Sequence, residues 1–298
     1  MRILLLLTAF SLVLISCKKL RLDSNMYNST PLEKYLWDAY EGEVDFRLDD
    51  SYRIQADKMH EFNLLSQIPG TTESVRISAI YLGDTTAIAT DTVILYCHGN
   101  KDHMDFYWQR AKLLAHVAGK HRYGVMMFDY RGFGKSEGES SESGTYADTR
   151  AALDWLKKHG LSSDRFIMYG FSLGTSVVCE EASAPLVMRP SKIILEAPFA
   201  STEVMVQDAS GLAMPSSWFT DTKVDNVGKI GSVSSPLLWM HGTADAFLSI
   251  KTHGEPVFAH HPGPKEAVRV EGSGHSTVPQ TMGFEVYLNT LEKFIRGH

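Results

Sequence analysis

The chain has 298 residues, 44% of them apolar and 21% charged, an ordinary globular composition with room for one large α/β domain or for two small ones. A formal net charge of −6 leaves no basic surplus to neutralise phosphates, which argues against nucleic acid as the main partner. No repeat or low-complexity tract interrupts the chain.

The first sixteen residues stand apart. Met1-Arg2 is a minimal positive region, and residues 3–15 form an apolar run too short to span a bilayer comfortably but suited to a signal peptide. The run ends in Leu14-Ile15-Ser16-Cys17, which resembles a bacterial lipobox. The resemblance implies cleavage before Cys17, a lipid on its thiol and an exported, membrane-anchored lipoprotein. Residues 17–28 then read as a tether and 29–298 as the folded domain. A plain signal peptide with an incidental Cys17 is the alternative.

Residues 30–57 carry scattered aromatics (Tyr35, Trp37, Tyr40, Phe46) and read as irregular structure or a short helix packed on the domain. Two β runs follow, near 61–66 and 75–82, the second alternating as a half-exposed antiparallel strand does. From Val93 onward the pattern changes to short continuous apolar runs at 93–96, 125–128, 166–169, 193–195, 237–240 and 268–270. Helical patterns lie between and after them, near 106–118, 145–159, 173–182, 250–259 and 279–296, with Gly119 and Gly160 placed as C-caps. Strand–helix alternation at this spacing predicts a doubly wound, mostly parallel α/β sheet covered on both faces. Residues 198–235 break the rhythm and read as a short lid, with Met214, Trp218 and Phe219 as candidate substrate-binding residues. Cys97 and Cys179 read as buried small residues, although a disulfide between them is open.

One strand runs straight into Gly170-Phe171-Ser172-Leu173-Gly174 and then into a helix pattern. Such a junction needs small residues at the glycines and lifts the serine hydroxyl above the sheet edge, at a helix N-terminus. A second Gly-x-Ser-x-Gly, around Ser136, lacks both the abutting strand and the helix, so Ser136 reads as a loop serine. Serine needs a base to accept its proton and an acid to orient that base. Asp245, in His241-Gly242-Thr243-Ala244-Asp245, and His275, in Gly272-Ser273-Gly274-His275, each follow a strand run and supply the pair. Glu196 and Asp129 are rival acids, and His241 shapes the loop beneath Asp245. The candidate oxyanion donors are the N–H groups of Leu173 and of Asn100, in His98-Gly99-Asn100, with Lys101 as the alternative to Asn100. His253, His260 and His261 lack nearby ligands at metal spacing, so they read as surface residues.

These pieces, with Asp129-Tyr130-Arg131-Gly132-Phe133-Gly134-Lys135-Ser136, resemble the α/β-hydrolase superfamily in its serine-hydrolase branch. The resemblance implies an eight-stranded sheet, no cofactor or metal, and ester or thioester hydrolysis through an acyl-serine. It looks closest to small membrane-associated members acting on acylglycerols, lysophospholipids or acyl thioesters, and makes residues 129–136 a structural loop. Asn100 and Lys101 replace the later glycines of the His-Gly-Gly-Gly loop found in many lipases. A serine peptidase or acyltransferase on the same fold, or a non-catalytic binding lipoprotein, are the alternatives.

Overall fold

The computed structural model describes residues 26–211 and 215–297. The expected signal peptide, Cys17 and Met214 lie outside the described residues.

Eight strands form the main sheet: β1 (Met59–Gln67), β2 (Ser74–Leu82), β3 (Val93–Cys97), β4 (Gly124–Phe128), β5 (Phe166–Phe171), β6 (Lys192–Glu196), β7 (Leu237–Gly242) and β8 (Lys265–Val270). Their order across the sheet is β8-β7-β6-β5-β3-β4-β2-β1. β2 alone runs opposite to the other seven strands. The chain alternates sides as parallel strands require, and the apolar runs separate into two cores. Ile94, Tyr96, Ile167 and Tyr169 face one, while Val93, Leu95, Phe166 and Met168 face the other. Burial on both faces explains why β3, β4, β5 and β7 read as continuous rather than alternating runs. β8 differs: it is an edge strand with exposed residues, including Arg269.

Residues 30–57 contain three short 3₁₀ turns, and Tyr35, Phe46 and Ile54 are buried. They wrap helix α1 (Met104–Leu114), all eleven of whose residues are buried. Burial of its polar residues is compensated by the wrap. Asp105 accepts the N–H groups of Leu36 and Trp37 at 2.8 Å each, Gln109 accepts that of Leu48, and Lys112 pairs with Asp38 at 2.7 Å. Before this wrap, Asn28–Ser29 makes a two-residue parallel pairing with Lys101–Asp102, so the expected tether becomes ordered before its end.

Helix α2 (Glu142–Lys158) is followed by Gly160 at φ +91°, as the C-cap reading expects. Helix α3 (Gly174–Ser183) follows β5. The 198–235 segment is more regular than a lid loop. It holds α4 (Thr202–Ser210), capped by Ser201 Oγ on the Val204 N–H, and α5 (Asn226–Ile230), capped by Asp225. The 250–259 pattern is a π-turn (Ile250–Gly254) running into α6 (Glu255–His260). The last helical pattern divides into α7 (Val278–Met282) and α8 (Phe284–Arg296) at Gly283, whose φ is +82°. Cys97 and Cys179 are buried and unpaired. Among the described residues, no helix is long and apolar enough to cross a membrane.

Candidate active site

β5 ends at Phe171 and α3 begins at Gly174, leaving Ser172 in the turn with φ +51°, a conformation that is costly for a residue with a Cβ. The surroundings enforce it. The Ser172 N–H donates to the Glu196 carbonyl at 3.0 Å, and the Thr175 hydroxyl donates to the Ser172 carbonyl at 2.6 Å. A Cβ at Gly174 would overlap the Cys97 carbonyl, and one at Gly170 would press on the Gly174 carbonyl. Both glycines are therefore required by close backbone approach.

The three side chains chosen from sequence meet at this turn. Ser172 Oγ lies 2.9 Å from His275 Nε2, and His275 Nδ1 lies 2.8 Å from Asp245 Oδ2. Asp245 Oδ1 accepts the N–H groups of Phe247 and Leu248 at 2.9 and 2.8 Å. His241 Nε2 lies 3.2 Å from Oδ2 and 2.9 Å from the Leu248 carbonyl. Burial alone would raise the Asp245 pKa, but bonds from His241, His275 and the Leu248 amide outweigh it and hold the carboxyl well below the usual range. An ionised Asp245 fixes the proton on His275 Nδ1, which leaves Nε2 as the acceptor for the Ser172 hydroxyl. The two loops that carry this pair are bonded together: the Ala244 N–H donates to the Ser273 carbonyl at 2.9 Å and the Gly272 N–H to Thr243 Oγ1 at 2.9 Å.

The rival groups are occupied elsewhere. Asp129 accepts from the Tyr35 hydroxyl at 2.6 Å and faces His98 at 3.1 Å. Glu196 pairs with the buried Arg110 at 2.6 Å and accepts the hydroxyls of Tyr169 and Tyr287. Ser136 is buried, donating to the Asp129 carbonyl at 2.7 Å and accepting the Ser78 N–H at 2.9 Å, so it braces the 129–136 loop.

Asn100 and Leu173 line the same small cleft as Ser172, at the N-terminus of α3. The alternative donor is already engaged: the Lys101 N–H donates to the Tyr107 hydroxyl at 3.0 Å. The other walls of the cleft, about 40 Å³ in volume, are Met26, Phe199, Met205, Phe247 and Leu248. This corrects the expected substrate-binding set. Neither Trp218, 57% exposed, nor Phe219 lines the cleft, because α4 brings Met205 to the site in their place. Phe247 stands edge-on to the His275 ring, with centroids 5.0 Å apart.

A second correction concerns histidines. His253 and His261 are buried, the former accepting the Ala200 N–H through Nδ1 at 3.2 Å and the latter bonded to the Ser235 carbonyl at 3.0 Å. His260 alone of the three is exposed. Among the described residues, no group of three or more His, Cys, Asp or Glu side chains is placed to hold a metal.

Sequence reasoning missed Arg110. Its guanidinium donates to Glu196 at 2.6 Å and to the carbonyl of Ser276, next to His275, at 3.0 Å, and it lies 4.3 Å from the Phe171 ring. It thus joins the serine turn to the histidine loop.

A family profile described as alpha/beta hydrolase fold matches residues 92–213. The chain has the α/β-hydrolase fold. Uncharacterized protein YfhR of Escherichia coli K12 is 26% identical over 227 residues, covering 75% of this chain and 77% of that protein. Human alpha/beta hydrolase domain-containing protein 17C is 30% identical over 210 residues, 68% of this chain. The match spans 57% of that human protein, less than two thirds of its length. Among solved structures, the Pyrococcus furiosus esterase Pf2001 superposes with a TM-score of 0.64, 16% identity and coverage of 91% of this chain and 98% of that one. A cold-adapted esterase from an Arctic intertidal metagenomic library superposes at 0.57 with 18% identity, covering 80% and 95%. At these identities the structural likeness carries the fold.

Proposed function

We propose that this chain, with its α/β-hydrolase fold, is a serine hydrolase that cleaves carboxylic ester or thioester bonds through an acyl-serine intermediate. The observation that carries this reading is the unbroken chain of contacts from Ser172 Oγ through the His275 ring to Asp245. Ser172 Oγ attacks the substrate carbonyl carbon as its proton passes to His275 Nε2. The negative oxygen so formed lies between the N–H groups of Leu173 and Asn100, a pair whose loss of one donor typically costs roughly 3 kcal/mol of transition-state stabilisation. The imidazolium returns the proton to the departing alkoxide or thiolate. Water then attacks the acyl-serine by the same path, with His275 as base, and releases the acid.

The cleft walls are aliphatic, aromatic and thioether side chains, which suits an acyl group rather than a charged one. Comparing p-nitrophenyl esters of increasing acyl length with aminoacyl anilides tests the reading. Turnover of short esters and not of anilides supports an esterase, and the reverse preference selects a peptidase.

Export and anchoring belong to the same proposal: lipidation at Cys17 would hold the domain at a membrane, near lipid-like esters. The support is the apolar run that ends at Ser16-Cys17. Incorporation of a labelled fatty acid that disappears in Cys17→Ala is the expected result, and labelling unchanged by that substitution would refute it.

A further inference from the structure

We propose that residues 26–32 form a strap that completes the site, its main chain positioning the Asn100 loop and Met26 limiting the length of the acyl cleft. The proposal rests on the hydrolase reading above.

The 100–101 peptide is held at both ends. Its carbonyl, from Asn100, accepts the Asn28 N–H at 2.9 Å, and its N–H, from Lys101, donates to the Tyr107 hydroxyl at 3.0 Å. The proposed oxyanion donor is the N–H one peptide earlier, so fixing this peptide fixes the backbone rotation that aims it. Gly99 packs so closely that a Cβ there would lie 2.7 Å from the Tyr107 hydroxyl. The strap then crosses two loops at the carboxyl edge of the sheet. Thr30 donates its N–H to the Asp102 carbonyl at 3.2 Å and its hydroxyl to Asp102 Oδ1 at 2.8 Å. Asp102 has φ +51°, a left-handed conformation that these bonds help to hold. On the other side, the Gly134 N–H donates to the Thr30 carbonyl at 3.1 Å, and the Leu32 N–H to the Gly134 carbonyl at 2.8 Å. At its start, Met26 forms a wall of the cleft beside Ser172. A segment that reads as a passive tether therefore bonds to one oxyanion loop and touches the pocket.

Two measurements on the full chain test this. Asn28→Pro deletes the N–H that holds the Asn100 carbonyl, whereas Asn28→Ala retains it. With a short p-nitrophenyl ester, kcat falls at least tenfold in the proline variant with KM changed less than threefold, and Asn28→Ala stays within twofold of wild type. Met26→Ala shifts the preferred acyl chain to longer esters by at least threefold in relative kcat/KM. Equal kcat in the proline and alanine variants overturns the positioning role, and an unchanged chain-length profile in Met26→Ala overturns the limiting role. Should Asn28→Pro not fold, Thr30→Pro, which deletes the next bond to the same loop, takes its place with the same expected loss. A wild-type protein that turns over no ester would instead defeat the hydrolase reading, so the two failures are distinguishable.

Discussion

His241 lies beneath Asp245, four residues before it in sequence, with its Nε2 3.2 Å from Oδ2 and 2.9 Å from the Leu248 carbonyl. The ring is fully buried, and a Cβ at Gly254 would collide with it, so it has no alternative place. It acts as a fixed floor that keeps the carboxylate turned toward His275.

Removing that floor should loosen the acid rather than abolish the chemistry. His241→Asn is expected to lower kcat roughly tenfold and to cost about 1–3 kcal/mol of stability by leaving buried acceptors unpaired. Urea unfolding and ester kinetics on one preparation check both effects.

The Asp245 carboxyl gives a pH signature. Its folded-state pKa lies below the unfolded value of about 4, so its contribution to stability is present above that value and lost as pH falls towards the folded pKa. Asp245→Asn should therefore flatten the loss of stability below about pH 4. At neutral pH the same substitution should lower kcat by about 10⁴-fold, because the wrong imidazole tautomer is then favoured. Thermal unfolding from pH 2 to 7 and kcat at pH 7 are the measurements.

Glu181, on α3 behind the serine, has the opposite sign. Burial pushes its carboxyl up to about 7, while Arg150, 2.8 Å away, pulls it down. A raised carboxyl pKa means that stability is full below the unfolded value and declines as pH rises from about 4.5 through 7. Glu181→Gln should remove that decline, with its largest relative gain near pH 8 and little effect at pH 4. Melting temperature against pH for the two proteins checks it.

Arg110 and Glu196 form a buried ion pair, 1% and 0% exposed at their side chains. Replacing one partner alone leaves an uncompensated buried charge, so Arg110→Met is expected to cost about 3–5 kcal/mol. Arg110→Met combined with Glu196→Gln should recover part of that loss. Denaturant midpoints of the single and double variants decide it.

Much of the central sheet was legible because strands buried on both faces leave continuous apolar runs, as at 93–96 and 166–169. The serine turn was legible because its geometry admits only glycine at 170 and 174. Its two partners were legible because the ends of β7 and β8 bring residues 245 and 275 to one sheet edge. What failed to show depends on contacts between distant segments. The wrap over α1 buries that helix on every side, so its polar residues gave no face to read. Met205 reaches the cleft because Ser201 caps a helix inside the supposed lid, a local signal outweighed by the neighbouring Pro215, Trp218 and Phe219. Met26 reaches it through a two-residue strand pairing too short to leave a pattern.

The most direct test is covalent labelling by a fluorophosphonate probe, with the modified residue located by mass spectrometry. Modification at Ser172, absent in Ser172→Ala and slowed at least 100-fold in His275→Ala, is the predicted result. Modification at another serine, or a His275→Ala protein labelled as fast as wild type, would contradict the proposed nucleophile–base pair.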